Sequence, residues 1–266
     1  MDGTTTRPGD RWRASLEAVK VPEAVLRRSP DAEASLEPER FRWRPEEDAR
    51  QPVRPSRRRA LEALPPGGSV LDVGVGGGAS SLGLVPKAGH ITGVDRSEGM
   101  LESFRASAAA AGVAVRAVQG RWPDVAAEVE PADVAVCHHA MYSVEEIEDF
   151  VTALTARARR RVVLELSAHP PTAGLNPLWK AIHGIDRPVR LVADEAEAVL
   201  AAMGLAVERE DIVLPPRRRE VTPGLVAFAR RRLHVEQDRD PEIAEFLRTT
   251  EPGEQRVAAL WWPGGA

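Results

Sequence analysis

The sequence predicts an α/β fold built on a doubly wound, mostly parallel sheet, and three observations carry that expectation. Short apolar runs alternate with longer helical stretches over residues 61–214, the rhythm of strands joined by crossover helices. The first run, Val70-Leu71-Asp72-Val73, passes straight into Gly74, Gly76, Gly77 and Gly78. The second, HITGVD, ends in Asp95. Right-handed crossovers on such a series leave ligands at the C-terminal ends of the strands.

At 266 residues the chain has room for one large α/β domain with additions. A formal net charge of -4 speaks against a general nucleic-acid or membrane-surface binder. No run approaches the roughly 18 apolar residues that a spanning helix needs, and residues 1–10 are polar, without a signal-peptide core. Cys137 is the single cysteine, which excludes an internal disulfide and fits a reducing cytoplasm.

In chain order, residues 1–10 are expected to be disordered. Trp12, Leu16 and Val19 then recur at helical spacing within 11–28, with Pro22 interrupting. Charge and proline dominate 29–55, with Phe41 and Trp43 as anchors that pin the segment to the domain. Residues 1–60 are thus expected to form an arm or cap. Arg57-Arg58-Arg59 reads as the solvated face of a helix running through Leu61 and Leu64, which Pro65-Pro66-Gly67-Gly68 breaks. After the first strand come a short helix over 79–85, the second strand at 91–95 and a helix over 98–111 capped by Ser97. Strands follow at 113–118, 132–137, 161–166 and 205–214, with helices over 144–157 and 194–203. Insertions are expected at 167–190 and 215–252, the latter holding two helices, 224–234 and 241–248.

Glycine is needed where the backbone takes φ > 0 or approaches a ligand that a Cβ would push away. An acid ending the second strand suits ribose hydroxyls. Gly74, Gly76 and Ala79 also satisfy a dinucleotide fingerprint, and Asp95 would suit NAD ribose. Asp72 weighs against that alternative, because a carboxylate there repels a pyrophosphate and attracts an ammonium group.

The pattern Asp72-x-Gly74-x-Gly76-x-Gly78, followed by Asp95, resembles motif I and the ribose-binding acid of class I, Rossmann-like, S-adenosylmethionine-dependent methyltransferases. The resemblance implies an antiparallel seventh strand, which QRVAALWW at 255–262 can supply. It implies S-adenosylmethionine as cofactor, with Asp72 near its amino group, the backbone of Gly74, Gly76 and Gly78 near its amino-acid end, and Asp95, followed by Arg96, at the ribose. Such a family commonly has Gly-Asp after the third strand to bind adenine; this chain has Gln119-Gly120-Arg121-Trp122. Adenine recognition is then left to Gly120, the backbone of Arg121, or Asp124, with Trp122 stacking on the purine or closing the pocket.

The resemblance places Cys137-His138-His139-Ala140-Met141-Tyr142 beside the transferable methyl group. Adjacent histidines at a strand end point to opposite sides, so one can face the cleft while the other packs beneath it; the resemblance puts His138 among the cofactor-binding candidates and His139 among the catalytic ones. His139 and His169 are the candidate bases, and Tyr142 either orients the acceptor or offers its ring to the sulfonium, a contact worth roughly 0.5–2 kcal/mol. Metal-ligand spacing is absent. Glu165 interrupts an apolar run, so it either faces the cleft or meets an arginine. Trp179, with Leu178 and Ile182, either lines an acceptor pocket or seals a lid on the sheet, flanked by His169 and His183. The expected activity is methyl transfer to an O, N or C nucleophile of a small molecule. The alternatives are an RNA methyltransferase using Arg217-Arg218-Arg219 and Arg230-Arg231-Arg232, an NAD-dependent oxidoreductase, and a non-catalytic nucleoside-binding scaffold.

Overall fold

Seven strands, β1 (Gly68–Val73), β2 (Ala88–Asp95), β3 (Ala114–Gln119), β4 (Ala132–His138), β5 (Ala158–Ser167), β6 (Glu208–Leu214) and β7 (Gln255–Pro263), form one sheet. The computed structural model describes residues 6–27, 38–85, 87–216 and 220–266. Strand order is β3-β2-β1-β4-β5-β7-β6. Every observed pairing is parallel except those of β7, which runs antiparallel to both β5 and β6, as expected. The central strands β1 and β4 are apolar on both faces because helices cover both sides.

Side chains alternate across the sheet and feed two cores. Leu71, Val73, Ala135, Cys137, Val162 and Leu164 share one core, which is covered by α1 (Pro8–Glu17), α6 (Ile147–Thr155) and α8 (Val192–Ala202). Val70, Val134, Val136 and Val163 belong to the other, with α4 (Pro55–Ala63) and α5 (Glu98–Ala111) packed against it. Helix α5 starts as its sequence demands, with Ser97 Oγ accepting the Met100 N–H at 3.4 Å, and it stops at Gly112, whose φ is 67°.

The amino-terminal region departs from expectation in one respect. Residues 8–10 are the first turn of α1, set by Pro8 at the position where a missing N–H costs nothing; residues 1–5 lie outside the described part. Pro22 divides the expected 11–28 helix, so α1 ends at Glu17 and α2 (Glu23–Leu26) is a separate turn. Trp12 is fully buried and donates its indole N–H to Val144 O at 2.6 Å. Arg190, 3% exposed, stacks over that indole and binds Ser15, the Tyr142 carbonyl and Glu195. Helix α1 is therefore built into the sheet's covering layer.

A third core stands apart from the sheet. Val25, Leu175, Leu178, Trp179, Val226, Leu233 and Ile243 cluster together, drawn from α2, the 3-10 turn Ala173–Leu175, α7 (Asn176–His183), α9 (Pro223–Leu233) and α10 (Asp240–Thr249). Trp179 thus neither lines an open pocket nor seals a lid on the sheet; it is 1% exposed and joins the two insertions to α2. The remaining helix, α3 (Pro45–Ala49), is a short turn ahead of α4. No helix among the described residues is long and apolar enough to cross a membrane.

Candidate active site

The first part of the site is the bend after β1. Gly74 has φ of 75°, and a Cβ there would collide with the Ala140 methyl, so both conformation and space require glycine. The segment before α4 crosses the same bend. Arg42 pairs with Gly77 as an isolated parallel bridge, Trp43 N–H reaches Gly77 O at 3.4 Å, and a Cβ on Gly77 would strike the Phe41 carbonyl. Trp43 packs against the core as an anchor, whereas Phe41 stays exposed and contributes backbone.

The expected helix over 79–85 is absent: the chain makes turns and a single 3-10 turn, Leu82–Leu84. Nor are the bend's N–H groups free. Gly74 and Val75 both donate to Val94 O (2.8 and 3.0 Å), Gly78 donates to Val75 O (2.8 Å), and Gly76 donates to Asp95 Oδ2 (3.0 Å). An anion arriving here would find no regular helix end, and the N–H groups of Gly74, Val75, Gly76 and Gly78 are already engaged.

Asp72 is wholly buried beneath the bend. Its Oδ2 accepts the hydroxyls of Ser80 and Ser81, each at 2.6 Å, while Oδ1 has no partner among the described residues. Burial pushes its carboxyl up to about 6, only partly offset by the two serine hydrogen bonds. The two serines that replace the helix are what hold this acid inward. Asp95 is placed differently. Half-buried at the end of β2, it accepts Gly76 N–H on Oδ2 and Ser97 N–H at 2.9 Å on Oδ1. Each oxygen keeps lone-pair capacity for a further donor.

The second part lies at the ends of β4 and β5, which pair His138 with Glu165. His139 follows with φ of 55°, a left-handed conformation that costs a non-glycine residue about 1–3 kcal/mol. Its backbone N–H donates to Glu165 O at 2.8 Å, its Nε2 lies 3.0 Å from Glu165 Oε1, and its Nδ1 lies 2.7 Å from the Tyr142 hydroxyl. Tyr142 Oη also accepts the Ser167 N–H at 2.9 Å. Glu165, 2% exposed, is bound in addition by Arg54 Nη1 and Ser56 Oγ. It therefore both meets an arginine and adjoins the cleft. Burial alone would raise its carboxyl, but the His139 hydrogen bond and the Arg54 cation hold it well below the usual carboxylate range. His138 turns inward; its Nε2 is buried with no partner among the described residues, and burial pushes its ring down to about 4.

The other expected residues disperse. Trp122 is a core side chain, 5% exposed, whose indole N–H donates to Phe150 O at 3.1 Å, so it offers no stacking face. Gly120 N–H donates to Asp95 O at 3.0 Å, and Arg96, Arg121 and Asp124 are exposed. His169 is exposed with Nδ1 on Arg190 O at 3.0 Å, and Arg190 in turn donates to the Tyr142 carbonyl. His183 donates from Nε2 to Leu233 O at 2.7 Å within the third core. Arg57, Arg58 and Arg59 pair with Asp48, Glu210 and Glu62, and Arg230 with Asp240. The 217–219 run lies outside the described residues. Missing from the sequence-based list are Arg54, Ser56 and Glu165 as one unit, and Ser80 and Ser81; only the isolated acid in the β5 run signalled any of them.

Residues 70–161 match the model of a methyltransferase domain. A ubiquinone biosynthesis O-methyltransferase from Hahella chejuensis is 35% identical over 95 residues, 35% of this chain and 39% of that protein, so the match spans well under half of its length. The YcgJ protein of Bacillus subtilis has the same fold, with a TM-score of 0.54 at 19% identity over 79% of this chain and 98% of that one. Magnesium protoporphyrin IX methyltransferase from Synechocystis PCC 6803, solved with bound SAH, superposes with a TM-score of 0.50 at 16% identity, over 95% and 93% of the two chains. Residues 70–161 thus match a methyltransferase domain, and the fold around them is that of the two solved structures.

The residues present fit S-adenosylmethionine at its sugar. Asp95 has acceptor capacity there, and the space where a Cβ would sit on Gly76 is empty to 4 Å. At the amino-acid end the fit is indirect: the acid is present, but it stands under the bend.

Proposed function

We propose that this chain transfers a methyl group from S-adenosylmethionine to a hydroxyl oxygen of a small-molecule acceptor, with His139 as the base. The observation that carries this reading is the His139 imidazole, fixed at the end of β4 with Nδ1 already engaged by a phenolic hydroxyl, that of Tyr142. An imidazole site that seats one hydroxyl suits another of the same chemistry. The 95-residue match to an O-methyltransferase supports oxygen over nitrogen or carbon. Net charge and the acid-paired arginines support a small molecule over RNA.

Asp95 would hold the ribose by accepting its hydroxyls, and Asp72 would steady the bend from beneath. When bound, the cofactor supplies an electrophilic methyl group on a sulfonium sulfur. The protein's task is then alignment and exclusion of water, which together contribute roughly 7–11 kcal/mol in well-oriented systems. His139 Nδ1 takes the acceptor's proton as its oxygen becomes nucleophilic, an effect of about 10²–10⁴-fold. Tyr142, displaced from Nδ1 by the acceptor, keeps its hydrogen bond from Ser167 and borders the reacting oxygen.

The test is calorimetry with S-adenosylhomocysteine and NADH, followed by transfer of labelled methyl to a panel of phenols and amines that includes catechol. S-adenosylhomocysteine should bind and label should appear on a phenol oxygen. Binding of NADH with no response to S-adenosylhomocysteine would refute the assignment.

A further inference from the structure

We propose that Glu165 is a positioning residue that holds His139 as the Nε2–H tautomer, and that Arg54 and Ser56 keep Glu165 in the ionised form this requires. Its part in methyl transfer rests on His139 being the base; the tautomer assignment stands on geometry alone.

A carboxylate accepts hydrogen bonds and donates none, so the imidazole nitrogen 3.0 Å from Glu165 Oε1 is the one that carries the proton. In the neutral ring the lone pair then belongs to Nδ1, and Nδ1 faces the Tyr142 hydroxyl at 2.7 Å. Tyr142 accepts the Ser167 N–H, which leaves its own O–H to meet that lone pair. Each donor and acceptor in the line has one consistent role.

Glu165 does not need His139 for its own satisfaction. It is almost fully buried, and Arg54 and Ser56 already supply a cation and a hydroxyl. His139, by contrast, occupies left-handed backbone conformation while making this contact. The strain lies with the histidine, and what it gains is a fixed ring. Arg54 precedes α4, and Ser56 stands in its first turn. The same stretch of chain, twelve residues earlier at Arg42, lies on Gly77. One segment therefore touches the cofactor bend and secures the acid behind the base.

The experiment uses the full chain labelled with ¹⁵N-histidine and reads the His139 tautomer by long-range ¹H–¹⁵N correlation. The unmodified protein should show Nε2–H. In Glu165→Gln, Arg54 and Ser56 retain the carbonyl oxygen and turn the amide NH₂ toward His139, so the signal should move to Nδ1–H. Turnover of the phenol acceptor should fall roughly 10²–10⁴-fold, as for a base in the wrong tautomer, with KM and S-adenosylhomocysteine affinity changed less than about 3-fold. Arg54→Met, which leaves the carboxylate but removes its cation, should move part of the neutral-ring signal from Nε2–H to Nδ1–H, and it serves where the glutamine variant fails to fold. An unchanged tautomer and turnover in Glu165→Gln, or an unchanged tautomer ratio in Arg54→Met, would overturn the proposal. A tautomer that switches as expected in a protein that neither binds S-adenosylhomocysteine nor transfers methyl would support the positioning role and refute the methyl-transfer reading instead.

Discussion

Asp72 and Glu165 are two buried carboxylates at strand ends on the same side of one sheet, and their surroundings drive them in opposite directions. Asp72 stands two residues from Val70, and Glu165 two from Val163, so each shares that face of the sheet and rises toward the core shared with α4 and α5. Asp72 meets only neutral hydroxyls, which cannot offset burial, and its carboxyl is pushed up to about 6. Glu165 meets a guanidinium, an imidazole and a hydroxyl, and it stays charged. Burial alone therefore does not determine a carboxylate's state; the charge on its partners does. In the glycine bend the N–H groups of Gly74, Val75, Gly76 and Gly78 are internally satisfied, which suits holding, while the β4–β5 end leaves one imidazole nitrogen addressable and is suited to reacting.

Separating holding from reacting gives the largest expected effect. His139→Ala should lower turnover by about 10²–10⁴-fold while leaving S-adenosylhomocysteine affinity within about 3-fold, measured by labelled-methyl transfer and calorimetry. Asp95→Ala should do the reverse in affinity. Lost hydrogen bonds to a charged acceptor are worth about 1.5–3 kcal/mol, or roughly 10–100-fold weaker binding by calorimetry; unchanged binding would remove Asp95 from the sugar site.

The two buried acids should also tilt stability against pH in opposite senses. Asp72 binds its proton more tightly when folded than when unfolded, where its value is near 3.9. Its contribution therefore falls as pH climbs from about 4 to about 6, by about 2–3 kcal/mol in all. Asp72→Asn should flatten that part of the urea-derived stability curve and leave the protein more stable near neutrality. Glu165 contributes in the other direction: its stabilisation is present above the unfolded carboxylate range and is lost as pH falls toward its depressed folded value. A Glu165→Gln protein that kept the wild-type acid limb would contradict the contrast. Smallest of all, Gly74→Ala should cost about 1–3 kcal/mol in urea unfolding, through its positive φ and its collision with Ala140.

Much of this was legible in the sequence for identifiable reasons. Strand rhythm and the acid–glycine pattern located β1, β2 and the bend because burial on both faces leaves continuous apolar runs. QRVAALWW fell where β7 forms. What stayed hidden depended on long-range partners. Nothing local at Arg54 or Ser56 points to Glu165, 111 and 109 residues away. Ser80 and Ser81 look like helix residues until Asp72 is seen to take both hydroxyls. Trp122 looked like a ligand platform because it stood beside the expected adenine site, yet an indole N–H can find a carbonyl inside the core as readily as at a mouth. The third core was invisible because each of its helices carries too few apolar residues to announce a partner by itself.

Strand β7 has one more consequence, for the order of assembly. It lies between β5 and β6, and β6 has no other neighbour in the sheet. Until residues 255–263 arrive, β5 presents an unpaired flank and β6 has nothing to zip onto, so two of the six strand pairings wait on a distant part of the chain. Clipping that ribbon would convert a continuous lattice into a sticky margin prone to self-association.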